Sequence, residues 1–371
     1  MTSCLTLKGH KNHYNVKLMR GYGASITLRN HKVCLKGGMD VFTSQQEVEE
    51  WFVTQIPYER IVIAGKGYVS TDAIQLLTDH NINVILLDSF GKLVANMNNV
   101  MASPTGTNYR IGQYDTFRSP EKVMYLQRQL LTSKLQSQID FLTSLNKPEL
   151  QEAIAGLQKY RLQIPLQNDK RDLLTIESRA GHLYFRYYCG LFPSKYNFGS
   201  RHGGGLVLSN RYASDVVNAL LNYGYAVLAA EIAKFVNALG LDPYYGFMHR
   251  THNSFQALVY DLIEPFRWLV EYAVYKFAVE EPTHGRMIKN KEYAWTREGK
   301  IILDSGLIRR FLELLERIFQ SERLFKFNHG MKRKDGMSMC QEITIAKIRV
   351  QVLAEYCMGK DAIQMQVAPS H

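Results

Sequence analysis

The chain has 371 residues, of which 46% are hydrophobic and 21% are charged. This composition excludes a largely disordered chain, and the length is enough for two domains of ordinary size. Lys and Arg outnumber Asp and Glu by 45 to 34, which gives a formal net charge of +11. Such an excess favours a polyanionic partner, such as nucleic acid or an anionic membrane surface, although a solvated basic surface gives the same charge.

The sequence predicts neither membrane insertion nor secretion. No uninterrupted apolar run reaches the roughly 20 residues that a membrane helix needs. The N-terminal stretch MTSCLTLKGHKNHYN lacks the apolar core of a secretory signal. The five cysteines are scattered and form no CxxC pair. This pattern predicts a cytoplasmic protein with reduced thiols and without a structural zinc site.

The first part of the chain, residues 1–96, is predicted to form a small β-rich domain. ASITLRNHKVCLKGG has the alternation and the central turn of a hairpin, and ERIVIAG is typical of a short buried strand. STDAIQLLTDH predicts a helix that Ser70 or Thr71 caps. NINVILLDSFGKLVANM predicts a second hairpin that turns at Phe90-Gly91.

The remainder is predicted to be a polar linker, residues 97–118, followed by a larger all-helical domain, residues 119–371. Two irregular Gly-rich basic segments interrupt the helical pattern, at 192–214 and 326–338. The expected fold class is therefore α+β. The predicted helices lie at about 120–145, 149–163, 172–190, 213–240, 254–281, 305–322 and 341–358.

The helix predicted at 254–281 carries two carboxylates inside an apolar stretch. Its apolar stripe consists of Phe255, Leu258, Val259, Leu262, Ile263 and Phe266. Asp261 and Glu264 lie three residues apart on another face with Tyr260, where like charges repel unless a cation is near. Pro265 lacks the N–H that the Asp261 carbonyl would accept, so a kink is expected there. Periodicity leaves two interpretations open, a solvated acidic face or a cation site.

A third acid, Glu177, lies on the apolar stripe of another predicted helix. The other members of that stripe are Leu173, Ala180, Tyr184 and Tyr187. A partly desolvated carboxylate is costly unless something pairs with it. The small side chains of Ala180 and Gly181 leave space above it for a metal ion, but an ion pair with Arg179, Arg186 or a remote lysine is the alternative.

Glu177, His249 and Glu264, with Asp261 beside them, supply oxygen and imidazole donors and no thiolate. Such a donor set suits Mg²⁺ or Mn²⁺. Aromatic and basic residues near these acids in the sequence fit phosphodiester chemistry, in which a metal ion stabilises charge on phosphate oxygens. They are Tyr223, Tyr260, Arg250 and Arg267.

Three stretches resemble the universal CRISPR-associated integrase family, the Cas-one endonucleases. They are ESRAGHLYFRYY around Glu177, VVNALLNYGYAVLAAEIAKFVNALGLDPYYGFMH ending at His249, and SFQALVYDLIEPFR around Asp261 and Glu264. ERIVIAGKGYVSTDAIQLLTDHNINVILLDSFGKLVA resembles the β domain of the family, so the resemblance spans nearly the whole chain. Two positions depart from the pattern: Tyr212-Ala213-Ser214 replaces a frequent Pro-Pro pair, and Gly181 replaces an alanine.

The resemblance implies a β-sandwich-like domain followed by a helical one, and dimerisation largely through the β domains. It implies that Glu177, His249 and Glu264 bind the metal and that Asp261 supports them. It also implies a small dimeric ferredoxin-like partner, the Cas-two family, and a complex that joins the 3′ ends of short duplex DNA to the CRISPR repeat.

Two alternatives remain beside the metal-dependent integrase. One is a casposon-type integrase of a mobile element with the same fold, and the other is a non-catalytic DNA-binding scaffold. In the metal-dependent integrase, basic residues would follow the DNA backbone without reading bases. The candidate DNA contacts are Arg179, Arg186, Arg201, Arg211, Tyr223, Arg250, Tyr260 and Arg267.

Overall fold

The computed structural model divides the chain into two compact units, each formed by three segments. The described residues are 16–38, 46–58, 60–87, 93–97, 104–201, 213–249, 256–279, 288–297, 301–326 and 337–359. The first unit comprises Met1–Asn99, Ser194–Ala230 and Ala273–Ile318. The second unit comprises Val100–Pro193, Glu231–Tyr272 and Phe319–His371. This division differs from two consecutive domains, because two later segments belong to the unit that contains the N-terminal sheet.

The N-terminal residues form a mixed six-stranded sheet with one helix. The elements are β1 (Val16–Arg29), β2 (Lys32–Lys36), β3 (Val48–Trp51), β4 (Arg60–Val69), α1 (Thr71–Asp79), β5 (Asn83–Leu87) and β6 (Leu93–Met97). The strand order is β3-β2-β1-β4-β5-β6. Strand β4 is parallel to β1 and β5, and the other pairs are antiparallel. This sheet confirms the predicted β-rich domain.

Local sequence signals explain the turns of this sheet. Asn30 and His31 join β1 to β2 with positive φ angles of 50° and 59°, which twists the chain as a tight hairpin requires. Ser70 caps α1, because its Oγ accepts a hydrogen bond from the N–H of Ala73 at 3.3 Å. The predicted turn at Phe90-Gly91 lies outside the described residues.

Helices dominate the rest of the chain. They are α2 (Pro104–Arg118), α3 (Pro120–Ser144), α4 (Gln151–Gln163), α5 (Lys170–Gly190), α6 (Val216–Leu239), α7 (Ala257–Ile263), α8 (Arg267–Ala278), α9 (Ser305–Phe319) and α10 (Glu342–Cys357). Together with the sheet they confirm the α+β fold class. The predicted helix boundaries differ from the observed ones by a few residues, as expected where helix ends are set by capping.

The segment predicted as a linker, 97–118, contains helix α2. Its polar, turn-forming composition hides the helix, which tertiary hydrogen bonds stabilise. The buried side-chain amide of Gln113 donates to the carbonyls of Asp242 and Tyr245 at 3.0 and 2.9 Å. Its oxygen accepts from the Asp242 N–H at 2.7 Å. These partners lie far along the chain, so local composition does not reveal them.

The predicted helical domain also contains two short antiparallel strand pairs, which corrects the all-helical expectation. They are β7 (Tyr293–Trp295) with β8 (Ile301–Leu303), and β9 (Glu322–Lys326) with β10 (Met337–Gln341). Strands of three to five residues are too short for period-two alternation to stand out from helical periodicity.

Helix α6 is the most apolar long helix among the described residues. By length and composition alone Val216–Asn237 could cross a membrane, but 94% of its most apolar window is buried. That burial is typical of the core helix of a globular protein.

Four of the five cysteines lie among the described residues, and none of these four is in a disulfide. They are Cys34, Cys189, Cys340 and Cys357. Cys4 lies outside the described residues.

Candidate metal centre

Helix α3 brings two of the predicted acids to one cation. Within the second unit it packs against both α5, which carries Glu177, and the turn that contains Glu264. The Nζ of Lys134 on α3 lies 2.7 Å from Glu177 Oε1 and 2.8 Å from Glu264 Oε2. The side chain of Lys134 is 17% exposed. Two carboxylates that are distant in the sequence therefore converge on a single ammonium group.

The helix that carries Asp261 breaks at Pro265, as the sequence predicts. Helix α7 ends at Ile263, a 3-10 turn covers Glu264–Phe266, and α8 begins at Arg267. The Asp261 carbonyl still has a partner, because the N–H of Glu264 donates to it three residues later. The tighter turn compensates for the N–H that proline lacks.

Asp261 organises the segment that leads to His249. Its side chain is fully buried, at 0% exposure. Oδ2 accepts from the N–H groups of Phe247 and Met248 at 2.7 and 2.9 Å. Oδ1 accepts from the N–H of His249 at 2.9 Å and lies 2.6 Å from His249 Nδ1. Four donors use the acceptor capacity of this carboxylate, so its geometry suits a supporting acid better than a metal ligand.

Gly246 permits this close approach. A Cβ at this position would lie 2.7 Å from Asp261 Oδ2 and 2.9 Å from the backbone carbon of Ala257. Any larger residue would separate the 247–249 N–H groups from the carboxylate. The glycine in the sequence GFMH, Gly246, indicates a position where the backbone is approached closely. The sequence does not indicate that the approaching group is the carboxylate of Asp261.

The Nδ1 atom of the His249 ring is held by Asp261. Because this contact engages Nδ1, Nε2 is the nitrogen through which the ring could bind a metal. Burial alone would lower the pKa of His249, but the hydrogen bond and charge of Asp261 and the charge of Glu264 outweigh it and raise the pKa. The imidazole thus lies within the field of two carboxylates.

Glu264 is clamped by two cations. Its side chain is 4% exposed, with Oε1 2.8 Å from Arg267 Nη2 and Oε2 2.8 Å from Lys134 Nζ. Burial opposes the charge, but Arg267 and Lys134 outweigh it and lower the pKa of the Glu264 carboxyl to about 2. Glu264 is therefore ionised at neutral pH and able to bind a cation.

Lys134 completes this cluster, although the sequence alone does not distinguish it from other lysines. The open alternative for Glu177 was an ion pair with Arg179, Arg186 or a remote lysine, and the remote lysine is observed. Burial alone would lower the pKa of Lys134, but Glu264 and Glu177 outweigh it and raise the pKa. Lys134 falls four residues after buried Leu130, so a cation on the core-facing stripe of α3 was the available signal.

The donor atoms of Glu177, Glu264 and His249 fit a hard divalent ion, although these side chains are not arranged around a single metal position. Among the described residues no three His, Cys, Asp or Glu side chains are spaced to hold a metal ion. Instead, the ammonium of Lys134 lies between the carboxylates of Glu177 and Glu264. Two carboxylates and an imidazole whose Nδ1 is held by an acid match the ligands of such sites.

Helix α5 presents Glu177 as predicted, with one correction to its stripe. The side chain of Glu177 is 23% exposed, which is the partial burial expected from its position. The stripe continues through Tyr184 and Tyr188, which are fully buried, rather than through Tyr187. The hydroxyl of Tyr187 instead donates to Glu152 nearer the surface. Tyr184 and Tyr188 are four residues apart, a spacing that keeps both on one face of a 3.6-residue helix.

Gly181, one turn after Glu177, offers a stability prediction. A Cβ there would meet nothing within 4 Å, and glycine inside a helix costs about 1 kcal/mol relative to alanine. We expect Gly181→Ala to raise the free energy of unfolding in urea by about 1 kcal/mol without loss of activity. Gly112→Ala is the contrasting control, because its Cβ would clash with the backbone carbonyl oxygen of Cys357. A destabilised Gly181→Ala would contradict the open space seen at this position.

The candidate DNA contacts separate into different environments. Arg179 and Arg186 are exposed on α5, with the Arg186 guanidinium 5.9 Å from the Tyr187 ring centre. Arg201, in the first unit, donates to Asn218 and Asn222 at 2.9 Å each. Arg211 and Arg250 lie outside the described residues.

Three further candidates lie deeper than expected. Tyr223 is 1% exposed, which corrects its assignment as a DNA contact because a buried ring offers no surface to a duplex. Arg267 forms an ion pair with Glu264, a carboxylate of the candidate metal centre. Tyr260 is partly buried, and burial raises its pKa although Arg267 opposes the shift.

Comparisons with known proteins identify the family of the chain and agree with its fold. The family described as "CRISPR associated protein Cas1" matches residues 24–317. CRISPR-associated endonuclease Cas1 1 of Archaeoglobus fulgidus is 32% identical over 225 residues, which are 56% of this chain and 64% of that relative. CRISPR-associated protein Cas1 3 of Methanobrevibacter ruminantium is 30% identical over 265 residues, which are 67% of this chain and 73% of that relative.

Solved structures share the fold at lower identity. A casposase bound to its integration product has a TM-score of 0.79 and 23% identity, over 96% of this chain and 94% of that one. A Cas1 protein from Thermotoga maritima has a TM-score of 0.70 and 16% identity, over 94% of this chain and 98% of that one. Since the family match covers most of the sequence, the chain belongs to the Cas1 family of CRISPR-associated proteins.

Proposed function

We propose that this protein is a metal-dependent DNA integrase of CRISPR adaptation, which joins the 3′-hydroxyl ends of short captured duplexes to the CRISPR repeat by transesterification. The observation that carries the proposal is the convergence of Glu177 and Glu264 on one cation, with His249 anchored beside them by Asp261. Membership of the Cas1 family, in which relatives are named endonucleases, supports it.

Glu177, Glu264 and Nε2 of His249 would hold Mg²⁺ or Mn²⁺. A bound divalent ion supplies activation of an attacking hydroxyl and neutralises charge on the leaving 3′-oxygen. Asp261 fixes the imidazole orientation through Nδ1. Arg267 keeps Glu264 ionised and adds a positive charge beside the reacting phosphate. One phosphodiester is exchanged for another, so the reaction needs no energy-rich cofactor.

The exposed face of α5 offers a path for the DNA backbone. At 3.6 residues per turn its exposed basic residues share one side of the helix, and Glu177 lies on the opposite side, so this face would bind DNA away from the proposed metal centre. The exposed basic residues are Arg171, Arg179, His182 and Arg186. Such contacts bind phosphates rather than bases, so we propose that DNA binding is independent of sequence here and weakens as salt rises.

The proposed assembly is a cytoplasmic homodimer that binds double-stranded DNA and a small ferredoxin-like partner of the Cas-two family. A solved complex titled "Cas6-RT-Cas1--Cas2 complex" contains a chain of the same fold, with a TM-score of 0.72 over 96% of this chain. The described cysteines form no disulfide, which suits a reducing compartment.

Label transfer from DNA tests the proposed activity. A labelled short duplex and a supercoiled plasmid are incubated with the protein and Mn²⁺, with and without the small partner. We expect covalent transfer that falls more than about a hundredfold in Glu177→Gln and in His249→Ala. Asp172→Asn, an exposed acid in the first turn of α5, should retain activity. Undiminished transfer in both site variants would contradict the assignment of the metal centre.

The same experiment separates the alternatives. The likeness to the casposase favours a casposon-type integrase as the second candidate. Transfer that is independent of the small partner and of a repeat target would support that candidate. DNA binding without any transfer would support a non-catalytic scaffold instead. A partner gene and a repeat array beside the coding region would favour CRISPR adaptation.

A further inference from the structure

We propose that Lys134 is a built-in counterion of the metal centre, which holds Glu177 and Glu264 together and leaves both carboxylates when a divalent ion binds. Lys134 would then set the metal affinity of the site. This inference rests on the proposed function, and it assigns a positioning role to a residue outside the ligand set.

The geometry places the ammonium where a metal must bind. Lys134 Nζ takes Glu177 Oε1 and Glu264 Oε2 at 2.7 and 2.8 Å. A divalent ion would need the same oxygens at about 2.0–2.6 Å. Both cations cannot occupy the point where the two carboxylates converge, so metal binding requires Lys134 to move. Arg267 binds the other oxygen of Glu264, so it can stay in place.

The charges of the cluster make Lys134 compete with a divalent ion for the carboxylates of Glu177 and Glu264. Glu177, Glu264 and Asp261 carry negative charge, and Lys134 and Arg267 carry positive charge. Removing the ammonium leaves two neighbouring carboxylates with one guanidinium, which repel each other and attract a divalent ion more strongly. The wild-type lysine therefore stabilises the metal-free fold at the expense of metal affinity.

The flexible stem of Lys134 keeps the displaced ammonium near the site. A lysine ammonium is a compact charge on a four-carbon stem, so it can leave the carboxylates and remain close to an entering phosphodiester. Loss of Lys134 should then have opposite effects on two quantities: metal binding becomes tighter, and strand transfer at saturating metal becomes slower. A purely structural lysine would weaken both.

Metal titration of the full chain tests this inference without relying on activity. Mn²⁺ binding is followed by electron paramagnetic resonance, and thermal unfolding is measured with and without Mn²⁺. In Lys134→Met we expect the Mn²⁺ Kd to fall about tenfold, the metal-free Tm to fall, and the rise in Tm on adding Mn²⁺ to increase. Lys122→Met, an exposed lysine on the same helix, should match the wild type.

An unchanged or weaker Mn²⁺ affinity in folded Lys134→Met would overturn the inference. If that variant does not fold without metal, rescue of its fold by Mn²⁺ supports the inference and lack of rescue overturns it. The double variant Lys134→Met/Glu177→Gln removes the repulsion and should return the metal-free Tm towards the wild type.

The ligand variants separate this inference from the proposed function. Should Glu177→Gln and Glu264→Gln both bind Mn²⁺ as well as the wild type, the metal centre itself is wrongly placed. Should they lose Mn²⁺ while Lys134→Met binds it unchanged, only the role of Lys134 fails.

Discussion

Glu264→Gln is expected to reduce strand transfer by about a thousandfold. The substitution keeps the shape of the side chain and removes the charge on which Lys134 and Arg267 converge. A neutral amide is a poor ligand for a hard divalent ion, so the metal would lose one of its two carboxylates. Transfer of labelled duplex into plasmid, measured at saturating Mn²⁺, gives the rate.

The same variant should also lose stability, because two partly buried cations lose a common partner. Breaking a buried ion pair typically costs about 3 kcal/mol, which urea unfolding followed by circular dichroism would detect. Glu149→Gln is the control, since the Glu149 side chain is 62% exposed and pairs only loosely with Lys147 at 3.8 Å. Transfer within tenfold of the wild type would exclude Glu264 as a ligand.

Asp261→Asn is expected to lower both stability and activity. The buried carboxylate accepts from three backbone N–H groups and meets His249 Nδ1, so an amide must turn its NH₂ group towards at least one donor. We expect a loss of about 3 kcal/mol in the free energy of unfolding. Because His249 would lose its anchor, strand transfer should fall by about a hundredfold.

The two effects of Asp261→Asn can be measured separately. Transfer is assayed at a temperature where the variant remains folded by circular dichroism, so that lost activity reports the orientation of His249. Restoring the rate with excess Mn²⁺ would show that the damage lies in metal affinity. Wild-type stability would contradict the hydrogen bonds assigned to Asp261.

The partial success of sequence analysis at the site has a physical cause. Apolar periodicity identified Glu177, Asp261 and Glu264 as acids on or beside core-facing stripes, because a helix repeats every 3.6 residues. Periodicity says nothing of which helix packs opposite. Lys134 is 43 residues from Glu177, and only the packing of α3 against α5 brings them together.

Packing between distant parts of the chain also explains why the segment predicted as a linker, 97–118, contains helix α2. Residues 104–118 have few strong helix formers, and intrinsic preference predicts a loop. The buried side chain of Gln113 instead donates hydrogen bonds to the carbonyls of Asp242 and Tyr245, about 130 positions away, so its polar atoms have partners that the neighbouring residues do not supply. Tertiary hydrogen bonds therefore override a weak local preference.

The sequence by itself determined the features that depend on neighbouring residues: the first hairpin, a helix start at Ser70 or Thr71, and the break at Pro265. Each of these follows from the backbone geometry of a few consecutive residues. The tertiary structure alone decided how the site charges are paired. In a partly desolvated cluster each carboxylate must find a donor, and packing determined that Asp261 binds the 247–249 segment while Lys134 lies between Glu177 and Glu264.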